Sequence, residues 1–231
     1  MENVYGFWNH KYDFSELNKY NYKEVLKDTF KLDIKRVSIL AMLFALEIVL
    51  TVINKYTLGF LTLGFFTIEV SFVGVLFIYL SSNILYASLL GVLANCLRLA
   101  LGSDPVGILI MSLLDVTFLI FFATIFFFLK KYWLLKVKSK NQIKYYIAII
   151  VITGLIATFI TSGFALLYND TFIFEMYRKL YGDVIPQKNT TEWYSLLLAS
   201  MGVTIAKFAF SIILFSFCIK PLVNLINKHL I

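Results

Sequence analysis

From Val106 to Leu129 the chain reads VGILIMSLLDVTFLIFFATIFFFL, a run whose one ionisable side chain is Asp115. Coiled as an α-helix at 1.5 Å per residue, the run is about 36 Å long, enough to cross the roughly 30 Å hydrocarbon core of a bilayer. It is apolar around its whole circumference, so lipid or a bundle interior must surround it. Similar runs recur, and six spans are expected at 34–54, 64–80, 83–101, 106–129, 145–168 and 193–219. Composition points the same way: 60% of the residues are hydrophobic, 15% are charged and the mean hydropathy is +0.81. Soluble domains are about half apolar. The expected fold class is an all-α integral membrane protein, a six-transmembrane-helix bundle.

The second span is the least regular, because TLGFLTLGFFTIEVSFVGVLFIYL (57–80) mixes Gly and Thr with its apolar residues. A non-helical start is one way to read it. Short links at 81–83 and 102–105 make helices two, three and four antiparallel neighbours. Orientation follows from the basic residues. The stretch 130–144, KKYWLLKVKSKNQIK, carries six lysines and no acid, and Lys220 and Lys228 are unopposed near the C-terminal end. Both regions are expected on the cytoplasmic side. The loop 169–192 sets Arg178, Lys179 and Lys188 against Asp170, Glu175, Asp183 and Glu192, a balance that suits the outer side.

Three regions follow: a cytoplasmic N-terminal arm (1–33), a six-helix membrane domain (34–219) and a cytoplasmic C-terminal tail (220–231). The arm has no continuous apolar stretch of the kind a cleaved signal needs, so it is expected to be retained. Amphipathic helix on the inner leaflet and loosely ordered tail both remain open for it. The net charge of +7 is mostly topological bias and implies no nucleic-acid partner. Cys96 and Cys218 read as packed thiols without a disulfide or a metal cluster. His10 and His229 form no site.

Five ionisable groups fall at membrane depth, where each costs about 2.5–3.5 kcal/mol on insertion scales. Arg98 lies roughly 5 Å below the outer end of its helix, Glu47 roughly 10 Å, Asp115 roughly 14 Å and Lys207 roughly 20 Å. Glu69 stands near the start of the second span. Three acids against two bases, mostly in the outer half, suggest an outward-facing polar cavity. The other reading is internal ion pairing, Asp115 with Lys207 or Glu47 with Arg98. Asn95 shares a helix face with Arg98, and an amide beside a guanidinium suits a carboxylate, phosphate or carbonyl-rich ring. Asn169 would project toward the same mouth, with Tyr168 and Phe172 available to stack on an aromatic ligand. Glu47, Glu69, Asn95, Arg98, Asn169 and Lys207 are the candidate substrate-binding residues.

The first span contributes a different feature. Ala41 and Ala45 share one stripe, and Glu47 lies a further 200° round from Ala45. With Glu47 inward, the alanines face outward, where small residues let another helix approach closely. No enzyme signature is present: there is no His-Glu-x-x-His, no Gly-x-Ser-x-Gly, no Walker loop and no Asp-rich metal motif. No cofactor, metal site or catalytic residue is expected. The chain can bind something, but the energy of ATP must come from a partner.

These residues resemble the substrate-binding S component of an energy-coupling factor (ECF) vitamin transporter. KRVSILAMLFALEIVL resembles the family's first helix, with Ala41 and Ala45 on its Ala-x-x-x-Ala strip. YNDTFIFEMYRKLYG (168–182) is similar to the riboflavin type's Asn-(x)7-Tyr stretch, giving Asn169 and Tyr177. TIAKFAFSIILF (204–215) is similar to its sixth helix, with Lys207 at a ligand-contacting place. In GVLANCLRLAL, Arg98 stands where a lysine is usual, Glu175 replaces a proline, and IEVSF keeps only Glu69 of an acidic entry to helix two. Folate-type members share the opening of helix one and the helix-six lysine.

The resemblance spans about residues 31–225. It implies both termini inside, an outward cavity under the loop 54–66, which closes over the vitamin, and docking of Ala41 and Ala45 on an EcfT-like transmembrane subunit. Two ATP-binding cassette ATPases would then drive reorientation of the bundle in the bacterial plasma membrane, and this chain itself would be no enzyme. A membrane enzyme with an unrecognised site and an assembly subunit are the rival classes.

Overall fold

The computed structural model describes residues 19–32, 34–57, 62–63, 66–67, 69–133, 142–182 and 185–229. Most of the N-terminal arm, with His10, lies outside the described residues, as do 134–141 of the lysine-rich connection and part of the loop 54–66. The chain is an all-α membrane protein. In order, α1 is Tyr22–Phe30, α2 Ile34–Thr57, α3 Phe72–Ser81, α4 Ile84–Leu97, α5 Pro105–Tyr132, α6 Gln142–Tyr168, α7 Phe174–Tyr181 and α8 Thr191–His229. A π-helical turn, Asn169–Ile173, joins α6 to α7.

Among the described residues, four stretches are helical, long and apolar enough to cross a membrane: Arg36–Tyr56, Pro105–Tyr132, Lys144–Tyr181 and Thr191–Pro221. The spans expected at 64–80 and 83–101 are shorter as helices. Helix α3 has 10 residues and α4 has 14, about 15 Å and 21 Å of rise. Before α3, β1 (Thr62–Leu63) pairs antiparallel with β2 (Phe66–Thr67), Thr62 opposite Thr67. Thr62 and Thr67, two of the residues that disturb the pattern there, pair across strands instead of standing in a helix. Helix α4 stops at Leu97 because successive turns carry the chain to Gly102, whose φ of +75° suits glycine. Asp104 then caps α5, accepting from Gly107 N at 2.6 Å, with Pro105 as the first helical residue. At the other end, α8 runs through Pro221 to His229, so the expected tail begins as helix.

Helix α6 packs against α5 and α8, and α3 packs against α2, α4 and α8. At Gly154 of α6 a Cβ would lie 2.6 Å from Ile212 Cγ1, so the α6–α8 approach depends on the missing side chain. The core is strongly aromatic. Phe118, Phe122 and Phe126, one turn apart on α5, stack at 5.7 Å and 5.8 Å, and Phe118 stacks on Phe208 of α8 at 4.4 Å. Phe72 meets Phe118 and Phe208 edge-on at 5.2 Å and 4.9 Å, an arrangement that opposes ring edge to ring face. Cys96 and Cys218 are free thiols, but both are exposed on helix faces turned away from neighbours, not packed as expected.

Candidate functional site

The polar residues expected at membrane depth converge. Glu69 and Ser71 immediately precede α3, Asn95 and Arg98 close α4, Asp115 is in the third turn of α5, and Lys207 lies midway along α8. Arg98 forms an ion pair with Glu69, and its Nη2 donates to Ser71 Oγ at 2.8 Å. Lys207 Nζ donates to Asp115 Oδ1 at 2.7 Å and lies 3.8 Å from Glu69 Oε2. Asn95 Nδ2 donates to Asp115 Oδ2 at 2.9 Å. One connected network thus joins four elements. Its charged members are at most 6% exposed, where each charge needs its partners.

Lys207 is held further by aromatic faces, its Nζ lying 5.2 Å from the Phe208 ring centroid and 5.7 Å from that of Phe72. Glu47, 2% exposed, adjoins this network without a direct ion pair among the described residues. It lies within electrostatic range of Arg98, Asp115, Glu69 and Lys207 and is pressed against Gly74 of α3. Its Oε2, Thr51 Oγ1 and Arg98 Nε have no hydrogen-bond partner among the described residues. Of the two pairings expected, Asp115 with Lys207 is formed. Arg98 pairs with Glu69 instead of Glu47, because the non-helical approach to α3 carries Glu69 into the bundle beside the end of α4.

A cavity of about 90 Å³, partly open to solvent, adjoins this network. Helix α5 contributes Gly107, Met111 and Leu114 to its walls, the π-helical turn Asn169, α7 Phe174 and Tyr177, and α8 Ser200, Thr204 and Lys207. Its mostly apolar lining, with a few polar groups among it, is that of a small-molecule site. Lys207 belongs to both the cavity and the network. Asn169, 3% exposed, donates its amide to Ala165 O at 2.8 Å. The π-helical turn that carries it is a rare form, often found at functional positions.

Of the candidate residues, Lys207 and Asn169 line the cavity. Glu69, Asn95 and Arg98 are in the network outside its lining, and Glu47 is behind them against α3. Tyr168 and Phe172 do not line it: Tyr168 OH bonds Thr117 Oγ1 at 3.1 Å, and Phe172 packs beside it. Ser200 and Thr204 escaped the sequence reading, although with Lys207 they form an i, i+4, i+7 row on α8. Their hydroxyls bond back to Leu197 O and Ser200 O.

Helix α7 is tied down at one end of the cavity. Tyr181 OH and Tyr177 donate to the Asp104 carboxylate at the start of α5. Partial burial pushes the Asp104 carboxyl up, but donation from Tyr181, Tyr177 and the Gly107 and Val106 amides outweighs it and holds the group below its ordinary value. Asp170 secures the following loop, accepting from Trp193 Nε1 at 3.0 Å and pairing with Lys188 at 3.3 Å.

On α2, Leu43, Glu47, Thr51 and Asn54 are buried, while Ala41 and Ala45 are exposed on the opposite side. This helix is the least enclosed of the four long ones, with 33% of its apolar window buried against 44% in each of the others. Among the described residues no group of three or more His, Cys, Asp or Glu side chains could hold a metal. Comparison with known proteins gives no match: no family profile, no curated protein and no solved structure is similar to this chain.

Proposed function

We propose that this chain is the S component of an ECF-type importer in a bacterial plasma membrane, binding a small vitamin of which riboflavin is the leading candidate. The reading rests on one observation above others. Lys207, which the family resemblance puts at a ligand-contacting place, and Asn169 and Tyr177, which match its Asn-(x)7-Tyr stretch, stand on the walls of a single cavity. The exposed Ala41/Ala45 strip supports it independently, because two small residues one turn apart on the least enclosed long helix suit close approach by an EcfT-like subunit.

In this reading the cavity faces outward and, among the described residues, Lys207 supplies the one cationic donor in its lining. A ligand carbonyl or anionic oxygen competes with Asp115 for the ammonium, and Asn95 keeps the aspartate satisfied during the exchange. Phe174 and Tyr177 offer ring faces to a planar ligand. Binding is this chain's whole task, and two ATP-binding cassette ATPases act through the EcfT-like subunit.

Mass spectrometry of the small molecules that travel with the purified protein is the direct test, followed by titration with riboflavin, folate and other vitamins. A bound vitamin is the expected result. Absence of any vitamin ligand from both the preparation and the titrations, with no ATPase subunits co-purifying, would overturn the assignment.

A further inference from the structure

Helix α1 lies outside the membrane domain, yet it is not a loose appendage. Arg36, at the start of α2, donates from Nη1 to Asp28 O at 2.5 Å and to Lys31 O at 2.9 Å, capping the end of α1. Its Nη2 also pairs with Asp28 Oδ1 at 3.2 Å. Asn83, between α3 and α4, donates to Thr29 O at 3.2 Å, and Tyr86 OH bonds Phe30 O at 3.3 Å. Val25 and Thr29 are buried against the bundle. The helix is therefore fixed at the end of the bundle where the first long helix begins.

The free circumference of α1 is graded. At 100° per residue, Tyr22, Leu26 and Phe30 form a stripe about 100° round from the buried one, and they are 45%, 37% and 43% exposed. Exposed Leu32, Ile34 and Val37 continue that apolar surface onto the outside of α2. The next stripe round is basic, with Lys23 and Lys27 exposed and Lys31 following at the end of the helix. Lys23 Nζ lies 5.9 Å from the Tyr22 ring centroid, so the two stripes adjoin.

We infer that α1 is a lipid-binding helix whose partner is the anionic surface of the leaflet at this end of the bundle. Tyr22, Leu26 and Phe30 enter the boundary between headgroups and acyl chains, and Lys23, Lys27 and Lys31 meet the acidic headgroups. Two observations favour lipid over a protein partner. The apolar stripe is continuous with the outer surface of a membrane-crossing helix, and lysines border it on the side away from the bundle.

The test uses the full chain in phosphatidylcholine vesicles with and without phosphatidylglycerol. In a Cys96→Ser, Cys218→Ser background, Leu26→Cys or Glu24→Cys carries a spin label, and collision with oxygen is compared with collision with a water-soluble nickel chelate. The label at position 26 should favour oxygen and that at 24 the chelate, with phosphatidylglycerol increasing the contrast. Lys23→Gln, Lys27→Gln and Lys31→Gln together should remove the phosphatidylglycerol effect. Equal access of the chelate to both positions in both vesicle types would overturn the inference, as would shielding of position 26 from both reagents, which would show protein covering the stripe.

Discussion

Lys207→Met separates the two roles that the geometry gives this residue. Its ammonium is 2.7 Å from Asp115 Oδ1 and 3.8 Å from Glu69 Oε2, with all three residues at most 6% exposed. Removing it leaves Asp115, Glu69 and Glu47 with Arg98 as the remaining cation of the network. Breaking a buried pair by deleting one partner costs about 3–5 kcal/mol, most of it the burden of the uncompensated charge. The single variant should therefore unfold at clearly lower temperature in detergent. Adding Asp115→Asn removes that charge while leaving an amide oxygen to accept from Asn95, so the double variant should recover most of the lost stability.

Ligand affinity should not recover with it. If Lys207 gives a charge-assisted hydrogen bond to the vitamin, its loss costs about 1.5–3 kcal/mol, or roughly 10- to 150-fold in Kd. That loss should persist in Lys207→Met/Asp115→Asn, measured by riboflavin titration or with whichever vitamin mass spectrometry identifies. A double variant with wild-type affinity would reduce Lys207 to a counter-ion. A single variant as stable as wild type would refute the buried network itself.

Replacing both strip residues, Ala41→Trp with Ala45→Trp, should abolish uptake in cells while leaving Kd unchanged, because both positions are exposed and turned away from the cavity; a parallel loss of affinity would argue against docking there. At Gly74 an added Cβ would run into the Glu47 side chain and lie 3.1 Å from its Cα. Gly74→Ala should therefore force α2 from α3 and cost about 1–3 kcal/mol in thermal unfolding, whereas Gly163→Ala, with nothing within 4 Å, should cost nothing. Asp104 has a lowered folded-state pKa, so its stabilising share is fully present above the unfolded carboxylate value, near 3.9, and fades as pH falls through the lower folded value. Asp104→Asn should flatten the acid limb of the stability profile below about pH 4, and an unchanged limb would show that Tyr177 and Tyr181 do not hold that carboxylate.

The long spans were legible because a bilayer demands length and apolarity together, and both can be read residue by residue. The face of α2 was also legible: 3.6 residues per turn places Glu47 opposite Ala41 and Ala45 whatever surrounds the helix. Pair identity was less so. Three acids and two bases admit several matchings, and only the three-dimensional position of Glu69, set by the chain path before α3, decides that Arg98 takes it. The aromatic roles of Tyr168 and Phe172 were misplaced for a related reason. The π-helical turn at 169–173 shifts the register that carries Phe172, and nothing in NDTFI announces such a turn, whereas Tyr168, still in α6, turns to Thr117. Ser200 and Thr204 could have been found by following the face of Lys207 back along α8.

The short α3 and the charged network have one cause. Polar backbone at membrane depth is tolerated only where protein satisfies it, because hydrocarbon offers no partner. The approach to α3 meets that condition: Asn54 Oδ1 on α2 accepts from Val70 N at 2.9 Å, and Glu69 and Ser71 take the Arg98 guanidinium. A full-length second helix would have kept Glu69 on a helical face. The non-helical approach instead turns it inward, where it also lies 3.8 Å from Lys207. Starting the helix late thus gives the bundle a carboxylate shared by Arg98 and Lys207, and Lys207 sits at the edge of that arrangement, where a change at the cavity wall can reach α3, α4 and α5 together.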